Sequence, residues 1–368
     1  MKSRTRIINT VLMNEIDRQP LTFYFGPWPE TIERWEKEGL PKGNRWDAEL
    51  NLDPGIKHVD VNLGFCPVFE RKIIEERKNT LLIRDEYGIL EEISKAGSTI
   101  PKIIDSPVKD RESWEKLKAE RLNPNSPERF PPNWDELVKK YNDSDEIIQL
   151  GWYPYGLFGT LRDLMGVEEL LIGFYDDPAL IHEIMDYLTD FWLAIYDKVC
   201  SSVWVNAIHM WEDMSGKNGS LISPQMVRDF MMPNYKKMSA FARKHNIHIF
   251  SLDTDGDCSQ LVPLFLECGI NLMLPFEVAA GCDIIEYRKM YPKLCIMGGI
   301  DKREIAKGPI SIDRELDRID SMFKGTGYWP ALDHLIHPEI SYDDFKYFVS
   351  SVKKRIEKYH NTQIDTIT

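Results

Sequence analysis

The sequence predicts a (β/α)8 barrel. From residue 147 onward, short apolar runs that end in polar or glycine residues alternate with amphipathic helical stretches, the pattern of parallel strands joined by helical crossovers. Counted along the whole chain these runs come to eight, the number that closes a barrel. A doubly wound sheet is the competing architecture, but no glycine-rich phosphate turn follows an early strand. The length of 368 residues would suit two or three average domains, yet barrels extend well past their usual size through insertions. The whole span 1–368 is therefore read as one barrel domain, with an insertion over about 66–146.

Each element has its own signal. Ile7, Ile8, Val11 and Leu12 recur at helical spacing between Thr5 and Glu15. Leu21–Phe25, closed by Gly26-Pro27, reads as the first strand, and the weaker run Val59–Leu63 as the second. Residues 66–106 alternate apolar and charged side chains around Lys78-Asn79 and Tyr87-Gly88, which predicts a small antiparallel meander. Two polar helical stretches follow in 107–146, broken by the proline-rich segment 123–133. The remaining strands are Ile147–Leu150, Trp204–Met210, Ile247–Leu252, Ile270–Leu274, Leu294–Met297 and Tyr328–Leu332. Between them, Asp177-Pro178 opens a helix with Ile181, Ile184, Met185, Leu188, Trp192, Ile195 and Val199 on one face. Ser223-Pro224 opens another, with Val227, Phe230, Met231 and Met238 inward, and the last helix buries Phe345, Phe348, Val349, Val352 and Ile356.

Composition narrows the function. A hydrophobic share of 43%, with 10 Trp, 15 Tyr and 16 Phe, is ample for a core and excludes a disordered chain. The net charge of −13 repels phosphate backbones and anionic lipid, so neither nucleic acid nor a membrane is expected as partner. Six cysteines without a CxxC pair read as ordinary thiols of a reducing compartment. The opening residues are interrupted by Asn14, Glu15 and Asp17 and do not read as a signal peptide, and no run of 18 apolar residues occurs. A cytoplasmic location is expected.

In a barrel, chemistry sits where strands end and βα loops begin. Those positions hold His209-Met210-Trp211-Glu212-Asp213, Asp253-Thr254-Asp255-Gly256, Phe276-Glu277, Gly298-Gly299-Ile300-Asp301 and Asp333-His334. Carboxylates converging on one mouth raise one another's pKa unless a cation or proton is shared, which suits a metal site or a general acid. Asp253 and Asp255 lie two apart and face one side of an extended strand; with Glu277 they are the expected ligands of zinc or another divalent ion. His334, Glu212 and Asp213 are the expected catalytic groups. Trp152, Tyr155 and Trp211 would wall the mouth around a flat or apolar substrate, with Lys217 also on the substrate side. The competing reading of any single acid is an N-cap or a turn residue. Were all of them caps facing away from the hollow, a non-catalytic binding protein on a barrel scaffold would remain.

A family resemblance then becomes specific. The opening SRTRIINTVLMNEIDRQPL and the segments WEDMSGKNGSLISPQMVRDFMMPNYKKM, DTDG, GINLMLPFEVAAGCD, IMGGIDKREIAKG and YWPALDHLIHPEIS resemble, in order and spacing, the uroporphyrinogen decarboxylase superfamily. The resemblance runs from about residue 4 to residue 350, and it implies a (β/α)8 barrel. That superfamily also contains cobamide-dependent methyltransferases. Its porphyrin decarboxylases carry an arginine-rich segment after the first strand; here that stretch reads FYFGPWPETIERWEKEGLP, with Pro27, Trp28 and Glu30 where cations would clamp substrate carboxylates. Its thiol methyltransferases hold zinc with a His-x-Cys pair and a later Cys; here Asp253 and Asp255 stand at the pair and no Cys follows 295.

The resemblance therefore implies the substrate-side methyltransferases of O-demethylase systems. Such an enzyme moves a methyl group from a methylated substrate, here a methoxylated aromatic, to the cobalt of a partner corrinoid protein. His334 falls where the decarboxylases keep a functional histidine. The alternative is a decarboxylase or lyase acting on a small carboxylated substrate, with Lys217, Lys302 or Arg303 as the cation it needs. A homodimer is compatible with either reading.

Overall fold

A computed structural model describes residues 1–96 and 101–364. Its centre is a curled parallel sheet of seven strands in chain order: Ile56–His58, Ile147–Leu150, Ala207–Trp211, Ile249–Asp253, Leu272–Leu274, Cys295–Met297 and Tyr328–Trp329. Each strand pairs in parallel with its sequence neighbour, so the crossovers carry helices throughout.

Two of the eight expected strands need correction. The run 21–25 forms no ladder, although it bonds to the edge strand Tyr328–Trp329 and to the segment before the other edge: the Trp329 indole donates to the Thr22 carbonyl at 2.8 Å, and Asp53 N–H donates to the Leu21 carbonyl at 3.0 Å. Tyr24 and Phe25 still pack into the concave side. The other correction is one of register. The strand expected at Val59–Leu63 lies at Ile56–His58, and Val59, Val61 and Leu63 join the outer core instead. An apolar run marks burial, and a loop packed under helices buries its side chains as well as a strand does.

Two cores result from the period of two along each strand. On the concave side, Ile147, Ala207, Ile249, Leu272, Cys295 and Trp329 pack around Ile7 and Val11 of the helix Ser3–Val11. On the convex side, Ile148, Ile208, Phe250 and Met273 meet the helices. Pro178–Cys200 shows how the sequence specifies one of them. Asp177 accepts from Leu180 N–H at 3.0 Å as the cap, and all seven apolar positions expected inward, from Ile181 to Val199, are buried. The helix expected from Ser223-Pro224 is present but passes through a π-helical turn at Val227–Met231 before Met232–Lys244. Pro233 explains the wider turn, because it brings no N–H to the helical ladder.

The expected meander is a four-stranded antiparallel sheet, Lys72–Glu76, Thr80–Arg84, Leu90–Ser94 and Lys102–Asp105. Its second turn contains Gly88 at φ 79°. Helices Arg111–Arg121 and Trp134–Asp143 follow, as the polar stretches predict. Tyr87 and Ile89 of the meander line a small apolar cavity of about 30 Å³ together with Pro154, Tyr155 and Trp192. Among the described residues, no helix is long and apolar enough to cross a membrane.

Candidate functional site

The carboxyl ends of the strands carry the polar groups, as a barrel-like sheet requires. Asp255, Glu277 and His334 each offer a ligand atom, and these atoms lie within 4.8 Å of one another. Local structure sets each of them. Asp255 follows the strand Ile249–Asp253 and precedes Gly256, whose φ of 72° and close packing against the Ser215 carbonyl leave no room for a Cβ. The Gly256 N–H donates to Glu277 Oε2 at 3.1 Å, which ties the two loops together. His334 Nε2 lies 3.2 Å from Asp255 Oδ2, and Phe25 stacks on its ring at 5.0 Å. Lys302 Nζ sits between Glu277 at 3.5 Å and Asp333 at 3.8 Å.

Electrostatics follows from burial and crowding. Burial, with Asp255, Asp213 and Glu277 adding negative charge, pushes the Asp253 carboxyl well above the usual carboxylate range. Burial likewise raises Asp213, with Arg162 pulling against it and Asp255 pushing further. For His334 burial acts downward, but the Asp255 carboxylate outweighs it and the ring is raised. Asp255 Oδ1 is buried with no hydrogen-bond partner among the described residues.

The expected site residues divide accordingly. Asp255, Glu277 and His334 come together, whereas Asp253 does not join their cluster. The DxD pair was expected to face one way; the strand ends at Asp253, so Asp253 keeps its inward register while Asp255 has left the extended backbone. Asp213, at φ 39°, reaches the mouth paired with Arg162 at 2.6 Å. Glu212 is a clear correction. It is fully buried and accepts from the N–H groups of Leu157 at 3.0 Å, Phe158 at 2.7 Å and Gly159 at 3.3 Å, and from the Tyr235 hydroxyl at 2.6 Å. That carboxylate caps the helix Leu157–Met165 from the convex side, and its lone pairs are used.

Among the aromatics, Trp152 is 46% exposed and stacks on His58. Trp211 packs edge-on against Tyr153 at 4.7 Å under the Arg162 guanidinium. Tyr155 departs from expectation: it lines the cavity beneath the meander and meets Trp192, away from the acid cluster. Lys217 lies exposed on the turn of the hairpin formed by Ser215–Gly216 and Gly219–Ser220.

Several residues of the site were not singled out in the sequence. Tyr24, Phe25, His58 and Gln149 all reach it, and Lys302, expected only as a cation for a carboxylated substrate, is held by Glu277 and Asp333. Inward alternation along 21–25 and 147–150 was the available signal for Tyr24 and Gln149. For His58 the misplaced strand register hid it.

A family model described as Uroporphyrinogen decarboxylase (URO-D) matches residues 92–355. A uroporphyrinogen decarboxylase of Hydrogenovibrio crunogenus is 23% identical over 273 residues, covering 62% of this chain and 73% of the relative. One from Campylobacter concisus is 20% identical over 185 residues, covering 49% and 51%. A solved structure described as a methyltransferase from Methanosarcina mazei superposes with a TM-score of 0.57 over 98% of this chain and 99% of that one, at 16% identity, a likeness of fold. On the family match, which spans well over half of its length, this chain belongs to the uroporphyrinogen decarboxylase family.

Proposed function

We propose that the protein is a methyltransferase that moves a methyl group from a methylated substrate, a methoxylated aromatic, to the cobalt of a partner corrinoid protein. The observation that carries this reading is the Asp255–Glu277–His334 cluster at the strand ends, in a family member whose fold is shared with a methyltransferase. Two carboxylates and an imidazole are a donor set for zinc or another divalent cation, and the unpartnered buried Oδ1 of Asp255 is an atom such an ion would satisfy. When bound, the ion would supply Lewis-acid polarisation of the ether oxygen.

The chain's own residues set the rest. With no ion bound, His334, raised by Asp255, would hold a proton that can pass to the leaving oxygen; with the ion bound, its ring would serve as a ligand and not as the acid. Lys302 offsets part of the charge of Glu277 and Asp333. The aromatic faces of Trp152 and Trp211 would hold a planar substrate. The methyl carbon exchanges its bond to oxygen for one to cobalt(I), which gives up two electrons; the oxygen leaves with the bonding pair and takes the proton.

A decarboxylase acting on a small carboxylated substrate, the activity in the names of the curated relatives, needs a cation free to hold a carboxylate. Lys302 is shared by Glu277 and Asp333, Arg303 is bound to Asp301 at 2.7 Å, and Lys217 stands on an exposed hairpin turn. The test is to mix the protein with 2-methoxyphenol and a reduced corrinoid protein and follow conversion of cobalt(I) to methylcobalt(III) by absorbance. Conversion that requires both protein and substrate supports the reading; its absence, alongside release of carbon dioxide from a carboxylated substrate, overturns it.

A further inference from the structure

Deeper in the same hollow lies a second group of polar side chains that the acid cluster does not use. His209 is 1% exposed. It pairs in register with Ser251, two residues above Ala207 and Ile249 of the concave core, so its ring faces the interior. His209 Nδ1 lies 2.9 Å from Ser251 Oγ, and that hydroxyl also lies 3.3 Å from the Ile208 carbonyl. In the tautomer we assign, Ser251 donates its proton to the Ile208 carbonyl and accepts from His209 Nδ1–H. His209 Nε2 is then the bare nitrogen, an acceptor, and it has no partner among the described residues.

The neighbours complement it. The Tyr24 ring lies 5.0 Å from that of His209. The Gln149 amide donates to the Gly151 carbonyl at 3.0 Å and to the Tyr24 hydroxyl at 3.2 Å, which leaves the Tyr24 O–H as an unspent donor. His58 lies 3.4 Å from the same amide and carries Trp152 stacked at 5.2 Å above it. One buried acceptor, one buried donor and the stacked Trp152–His58 pair are thus neighbours.

We propose that His209 and Tyr24 form a seat for the hydroxyl group of a neutral aromatic ligand, His209 Nε2 accepting its O–H and the Tyr24 hydroxyl donating to its oxygen. Trp152 and His58 are the planar cover. The ligand is neutral because the seat supplies no cation: burial drives His209 down to about 3, so its ring carries no charge to pair with an anion. The seat deepens the methyl-transfer reading by giving the methoxylated aromatic a free hydroxyl, and it rests on that reading only for what happens at the ligand's other end.

Binding, not turnover, tests it. The affinities of 2-methoxyphenol and 1,2-dimethoxybenzene are measured by calorimetry on the full chain and on His209→Leu and Tyr24→Phe. The parent protein is expected to prefer the phenol by roughly tenfold or more, the effect of one or two buried hydrogen bonds. His209→Leu abolishes the preference by weakening phenol binding alone, and Tyr24→Phe, which keeps the ring, reduces it several-fold. Equal affinities in the parent, binding of neither probe, or a preference that survives both substitutions overturns the seat. A preference lost in these variants while no methyl reaches cobalt supports the seat and overturns the proposed reaction.

Discussion

Replacing Glu212 by alanine tests whether a carboxylate beside the mouth is structural. The side chain is fully buried and accepts from three backbone N–H groups of one helix start and from the Tyr235 hydroxyl. Hydrogen bonds to a charged acceptor contribute about 1.5–3 kcal/mol each, and loss of a cap alone costs roughly 0.5–2 kcal/mol. Against them stands the cost of burying the carboxylate, which burial expresses by pushing its pKa up to about 7. Relative to the ordinary value of 4.5, that offset is on the order of 3 kcal/mol at neutral pH. Because four donors lose a shared acceptor together, the net loss is expected at about 3–5 kcal/mol. Chemical denaturation at pH 7 reads it directly, with Glu212→Gln, which keeps one acceptor, falling between the two. The raised pKa also fixes a sign: the stability it contributes is fully present below about 4.5 and is lost as the pH rises through about 7, so the parent's advantage over the Gln variant shrinks across that window. An alanine variant as stable as the parent but unable to transfer methyl groups would refute the reasoning and return Glu212 to the catalytic set.

Three other outcomes are expected. Metal analysis after zinc loading should show Asp255→Asn and Glu277→Gln losing most of the ion that the parent retains, with Asp253→Asn keeping it; equal retention by all three removes the cluster as the metal site. In metal-stripped protein, the His334 ring observed by NMR should titrate at lower pH in Asp255→Asn than in the parent, since Asp255 is what raises it. The stability from that pair is present below the unfolded histidine's pKa and is lost as pH rises through the folded one, so the variant should match the parent at alkaline pH. Finally, a Cβ at Gly156 would lie 1.7 Å from the Trp211 carbonyl oxygen, whereas one at Gly216 meets nothing within 4 Å. Gly156→Ala should therefore cost about 3 kcal/mol or more in a melt while Gly216→Ala stays within about 1 kcal/mol.

The chain by itself determined the order of its elements and the residues that bury. Periodicities of two and of 3.6 are local, and Asp177-Pro178 or Tyr87-Gly88 mark boundaries within a few residues of sequence. The same locality showed that acids gather at strand ends, because in a parallel sheet every strand presents its carboxyl end to one side. Tertiary structure decided what locality cannot carry. Glu212 and Asp213 are adjacent, yet one caps a helix on the convex face and the other meets Arg162 at the mouth. Asp253 and Asp255 part because the strand stops between them, and only distant loops bring Glu277 and His334 to Asp255. The role of a polar side chain is set by which donors and charges surround it, and those come from segments tens or hundreds of residues away.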